Sequence, residues 1–229
     1  MIPDPVSVSD PMFVLLAWAG GVALAGAVVT IWDIVGPGFT WLVATSAILI
    51  GFWPVLGGEW LVGIAIAAAV IGGVSVKRSR TASGVALGLA SVLFAFAAMQ
   101  YGGPLLGVTA TLALGGITGE MLLGHWYLVD PTMPRLVLRA LAIGGMIGLA
   151  IDTLTVVATV GTPEGGIAAG VFWVLAATTL LLMAGVLGAL RHPAYSGVMA
   201  ATGLSYLAVL TGLATVFIGR ILATGGGPL

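Results

Sequence analysis

Apolar residues along the 229-residue chain neither alternate nor recur every third or fourth position; they run almost unbroken until a glycine, a proline or a charged cluster stops them. A helix needs about 20 such residues to cross the ~30 Å hydrocarbon core of a bilayer, with about 17 to 25 tolerated. Eight stretches meet that length: Met12 to Ile34, Phe39 to Leu56, Trp60 to Val76, Gly84 to Gln100, Pro104 to Leu128, Arg135 to Ala158, Ile167 to Leu190 and Val198 to Ile221. The breaks between them are short: Gly36-Pro37-Gly38, Gly57-Gly58, Lys77-Arg78-Ser79-Arg80, Gly102-Gly103-Pro104, Asp130-Pro131-Thr132-Met133-Pro134, Thr162-Pro163-Glu164-Gly165-Gly166 and His192-Pro193. Such loops leave no room for a soluble domain. The expected fold is all-α, an eight-helix transmembrane bundle forming one domain over residues 1–229. Its second to fourth stretches are shorter than the last four, which suggests halves at 12–100 and 104–225.

Composition agrees. The chain is 60% hydrophobic and 7% charged, with a mean hydropathy of +1.20. A soluble domain carries about a quarter charged residues, so this one cannot cover a water-facing surface. Seven Lys and Arg against eight Asp and Glu give a formal charge of −1, which argues against a nucleic-acid-binding face or a polybasic tail. The absence of cysteine excludes disulfides, thiolate metal sites and iron–sulfur clusters. Residues Met1 to Pro11 hold Asp4 and Asp10 but no cation, the wrong charge for a signal peptide, so the first stretch is expected to stay as a spanning helix.

With eight spans both termini share one side, and the cations decide which. An extracytoplasmic N-terminus puts Lys77, Arg78, Arg80, Arg135, Arg139 and Arg191 at the cytoplasmic ends and leaves only Arg220 opposite. Asp4, Asp10, Glu59 and Glu164 then lie outside. Trp32, Trp41, Trp53, Trp60 and Trp126 fall near span ends, where an aromatic belt sits. The expected location is the cell membrane, with both termini extracytoplasmic.

Ionisable groups inside a bilayer cost about 2.5 to 3.5 kcal/mol on insertion scales and normally face protein or water. Glu120 and Asp152 are the deepest. At about 100° per residue, Gly116, Glu120, Gly124 and Tyr127 share one flank of the fifth span and Thr118 with His125 another. Glu120 reads either as a protonated carboxyl bonded to a neighbouring helix or as a proton-relay or ligand-binding group. In the sixth span Gly144, Gly148 and Asp152 recur every four residues on one expected packing face. Asp152 and Arg220 fall at the same outer depth, which suggests a structural ion pair. The cluster His125, Trp126 and Tyr127, followed by Arg135 and Arg139, reads either as an interfacial anchor or as a place for a quinone headgroup or haem propionates. His192 on the same side supplies the second histidine that bis-histidine haem ligation requires.

Two segments resemble known families. Residues 12 to 80 resemble the three-helix membrane module of NfeD-type proteins, through Trp32-Asp33, Gly36-Pro37-Gly38-Phe39 and the basic exit Lys77-Arg78-Ser79-Arg80. In that family the module is followed by a soluble barrel that has no counterpart here, so a scaffold role with a stomatin-like partner does not carry over. Arg191-His192-Pro193-Ala194-Tyr195-Ser196-Gly197 resembles the RHPxYxG segment of isoprenylcysteine-type membrane methyltransferases, which implies S-adenosylmethionine as cofactor. The paired-glutamate region of those enzymes is missing, since no Glu follows Gly197.

The chain contains no Walker loop, HExxH, nucleophile elbow or Thr-Val-Gly filter. Three functions remain. The first is an anchor or electron-transfer subunit that binds quinone or haem through Glu120, His125, Trp126, Tyr127, Arg135 and Arg139. The second is a small-solute or proton-coupled transporter using Glu120 and Asp152. The third is a structural subunit. The expected partners are the lipid bilayer and other membrane-protein subunits, not nucleic acid.

Overall fold

The computed structural model describes residues 11–56, 59–160 and 166–223. Eight α-helices fill these residues: α1 (Pro11–Ile31), α2 (Pro37–Leu56), α3 (Trp60–Ser75), α4 (Arg80–Gly102), α5 (Pro104–Trp126), α6 (Arg135–Val160), α7 (Gly166–Ala189) and α8 (Tyr195–Ala223). Seven are long and apolar enough to cross a membrane, and α3, at 16 residues, is a shorter apolar helix. The protein is a helical multi-pass membrane bundle. The expected outer acids Asp4, Asp10 and Glu164, and the breaks at Gly57-Gly58 and Thr162 to Gly165, lie outside the described residues.

Helix ends depart from the hydropathy boundaries where polar groups begin a helix. The fourth span was expected from Gly84, but α4 starts at Arg80 because the Ser79 hydroxyl accepts the Ala82 N–H at 3.1 Å and caps the first turn. This helix has 23 residues, so the shortness expected of the second to fourth spans is confined to α3 among those three and to a lesser degree α2. Gly103, at φ 79°, ends α4, and Pro104 opens α5 directly after it. Asp33 is the only non-glycine residue at positive φ (53°) among those described, and its carboxylate meets Arg80 at 2.9 Å, tying the end of α1 to the start of α4.

Contacts follow a cyclic order in each half. In the first, α1 packs on α2, α2 on α3, α3 on α4 and α4 back on α1; in the second, α5, α6, α7 and α8 close the same ring. The rings join mainly where α1 lies along α5. Small residues permit this approach: a Cβ on Gly21 would sit 2.5 Å from the Gly115 nitrogen and the Thr111 carbonyl. Trp18 Nε1 donates to Thr118 Oγ1 at 2.9 Å across the same seam. On the far side of α5 the close approach to α6 is made by Gly145 and Gly148, where Cβ atoms would lie 2.7 and 2.6 Å from α5 backbone nitrogens. Gly144, expected on that packing face, instead lines an open groove with Gly116 and Gly148.

Consecutive helices run up and down, so like ends gather. Asp33 and Arg80 join α1 to α4, Gly38 lies against the Trp126 ring between α2 and α5, and Arg139 donates to the Leu190 carbonyl between α6 and α7. Lys77, Arg78, Arg80, Arg135, Arg139 and Arg191 therefore share one end of the bundle, and Arg220 stands near the other.

Candidate functional site

Glu120 is fully buried in α5. Because α5 ends at Trp126, six residues on, the carboxyl lies about 9 Å from the basic end at about 1.5 Å per residue. Its flank turns toward α6 and α8. One turn before it, Gly116 abuts the Gly145 backbone; one turn after, a Cβ on Gly124 would be 2.6 Å from Thr202 Oγ1. Ser205 faces the carboxyl from α8, but its hydroxyl donates to the Thr202 carbonyl at 2.8 Å. Neither carboxylate oxygen has a hydrogen-bond partner among the described residues.

The residues expected to join Glu120 spread over several surfaces. His125 is exposed, with Nδ1 3.1 Å from the Tyr206 hydroxyl of α8. Trp126 packs edge-on against Phe39 at 6.0 Å, toward α2. Tyr127 is buried on the Glu120 flank and faces Tyr195 at the start of α8, ring centroids 6.3 Å apart. Arg135 donates to the carbonyls of His192, Pro193 and Ala194, so it and Arg139 satisfy the carbonyl end of α7 and the turn that follows. The structure thus turns His125, Trp126 and Tyr127 toward three different neighbours, Tyr206, Phe39 and Tyr195.

Asp152 stands in contrast. Its Oδ1 lies 2.6 Å from Arg220 Nη2 and accepts the Thr109 hydroxyl at 2.6 Å, with both charged side chains at most 1% exposed. Arg220 Nη2 also reaches the Leu106 carbonyl at 3.2 Å, and its guanidinium lies 4.6 Å from the centroid of the Phe13 ring. Helices α1, α5, α6 and α8 converge on this clasp.

Sequence reading missed Thr109, Ser205, Tyr206 and the Trp18–Thr118 pair. The available signal for α8 was Thr202 and Ser205, two small polar residues three apart in an apolar helix; nothing marked the others. Among the described residues no group of three or more His, Asp or Glu side chains is placed to hold a metal ion.

The bundle and this pair of buried carboxyls define a class, a polytopic helical membrane protein with polar groups in its second ring. No protein-family model, curated protein or solved structure matches the chain. The NfeD-like and methyltransferase-like stretches remain local resemblances.

Proposed function

We propose that the chain is a membrane anchor or electron-transfer subunit whose second helical ring holds a small ligand of the quinone class at Glu120. One observation carries this reading: of the two buried carboxyls, Asp152 is held by Arg220 and Thr109, while Glu120 is faced by the Ser205 hydroxyl but makes no hydrogen bond of ordinary geometry to a described residue. A charge at that depth is costly, so the neutral acid is the form the site admits, and it has a proton to donate to a quinone carbonyl. Tyr127 and Tyr195 supply aromatic surface between that carboxyl and the basic end. Glu120 and His125 lie on different surfaces of α5, which favours a carboxyl-based quinone site over a haem pocket built on both.

The test is Glu120→Gln, which keeps shape and removes the titratable proton. Purified variant and wild type are compared for ubiquinone and menaquinone binding across about pH 5 to 8, the range in which a coupled proton should show. Weaker binding with altered pH dependence at unchanged thermal stability is expected. Wild-type binding at every pH would refute the site.

The burial of two carboxyls, Glu120 and Asp152, in the second ring favours a second reading, a proton-coupled carrier. Proton flux in proteoliposomes that Glu120→Gln abolishes, without quinone binding, would select it. For topology, we propose eight crossings with the basic end cytoplasmic and both termini outside. The short α3 is included because Tyr101 donates to Glu59 at 2.7 Å at one end and Ser83 to the Gly72 carbonyl at 2.5 Å near the other, so it accompanies α4 from end to end. With no native cysteine, Ser79→Cys should resist impermeant thiol reagents applied to intact cells, and labelling from outside would reverse the map.

A further inference from the structure

The six cations of the basic end are not equivalent. Arg135 and Arg139 are consumed by carbonyls around the α7–α8 turn. Arg80 is held by Asp33 and by the Val35 carbonyl. Lys77 and Arg78, in the turn between α3 and α4, are exposed and make no ion pair among the described residues. They are also not scattered on a convex surface. With Arg80, Ser79, Pro37 and Val76 they line a concave site of about 420 Å³.

Each wall has a chemical consequence. Lys77 and Arg78 bring two positive charges without ion-pair partners among the described residues, and Arg80 beside them is ion-paired with Asp33. The first turn of the 23-residue α4 opens at this place, and its leading N–H groups lack intrahelical acceptors apart from the one that Ser79 satisfies. Pro37 contributes exposed apolar surface where α2 begins, and the buried Val76 closes the floor where α3 ends; in the proposed topology this is the level of a membrane interface. A cationic hollow with an apolar rim at that level suits a phosphate group whose remainder is apolar.

We propose that this hollow binds a phosphate-bearing anion, the phosphodiester headgroup of an anionic lipid in the adjoining leaflet being the source its apolar rim fits. Lys77 and Arg78 are the recognising charges. Arg80 is a positioning residue that shapes the wall.

The experiment uses the full chain reconstituted in vesicles of equal phosphatidylglycerol and phosphatidylcholine, extracted gently and examined by native mass spectrometry for retained lipid. Wild type should retain phosphatidylglycerol preferentially. The variant Lys77→Gln with Arg78→Gln should lose about thirtyfold of that preference, corresponding to about 1 kcal/mol for each basic residue near an anionic lipid surface. Arg191→Gln removes an exposed charge from the same end but outside the hollow and should leave the preference unchanged. Unaltered melting temperature in the double variant checks folding, and exposure of both side chains makes that the expected result. Inorganic phosphate added to parallel samples separates the sources. Retention of phosphatidylglycerol against excess phosphate assigns the lipid, whereas displacement, with phosphorus resonance broadening that the double variant abolishes, assigns free phosphate to the same hollow. An equal loss in Arg191→Gln would show only the diffuse field of the basic end and overturn the proposal. So would the absence of both lipid preference and phosphate binding in wild type.

Discussion

Replacing Arg220 by Gln removes one partner of a clasp that has no access to water. Asp152 would keep the Thr109 hydroxyl at 2.6 Å and lose the cation on the same oxygen, while Leu106 O and the Phe13 face would lose their donor and cation. Breaking one side of a buried pair costs about 3 to 5 kcal/mol in water-soluble proteins. Because the unfolded chain in a bilayer also finds partners, the lower end, about 3 kcal/mol, is expected here. Asp152→Asn leaves the guanidinium with the Leu106 carbonyl and the Phe13 ring and should cost less, about 2 kcal/mol. The double variant carries no buried charge and can form an amide–amide hydrogen bond, so it should cost about 2 kcal/mol rather than the sum of the single losses. The coupling of about 3 kcal/mol is the quantity to measure, by reversible unfolding of all four proteins in mixed micelles. Screening by salt should leave it nearly unchanged, since the charges are buried. Additive single losses, with coupling below about 0.5 kcal/mol, would refute the reasoning and make the contact incidental.

Three further outcomes follow from the packing. Glu120→Leu should raise stability by about 1 to 3 kcal/mol, the cost of an unsatisfied buried polar group, while destroying the proposed ligand site; a loss of stability in the same unfolding assay would mean that the carboxyl is held by a partner. Gly21→Ala sets a methyl 2.5 Å from α5 backbone and should cost about 1 to 3 kcal/mol by prising the rings apart, whereas Gly170→Ala, with nothing within 4 Å, should stay within about 0.5 kcal/mol; equal effects would dismiss the seam. Trp18→Phe should cost only about 0.6 kcal/mol from its lost hydrogen bond, the usual worth of one between membrane helices, plus a smaller ring; a value above about 2 kcal/mol would indicate a role beyond the Thr118 contact.

Hydropathy carried most of the helix map, because in lipid every long apolar run must satisfy its own backbone and a helix is how it does so. It misjudged ends such as Arg80, where a capping Ser79 and a cation open the helix although their polarity looks like loop. The candidate cluster was less legible. His125, Trp126 and Tyr127 are adjacent in sequence, yet successive helical residues diverge by about 100°, and the neighbour each meets depends on helix order, which no single sequence reveals. Gly144 and Gly145 differ in the same way: spacing selects a stripe of small residues, but a crossing angle decides which of two adjacent glycines takes the contact. Common depth related Asp152 to Arg220, while Thr109 and the Leu106 carbonyl entered only with the packing of α5.

The distance along the chain between Asp152 and Arg220 also orders events during synthesis. Helix α6 leaves the ribosome and enters the membrane well before α8, so for that interval its aspartate sits in or beside lipid without its cation. Until α8 arrives, α6 must therefore hold a provisional arrangement, still in the insertion machinery, shallow in the bilayer or shielded by α5 through Thr109. A chain cut short within α8 before Arg220 would leave Asp152 in the bilayer with the Thr109 hydroxyl but without its cation.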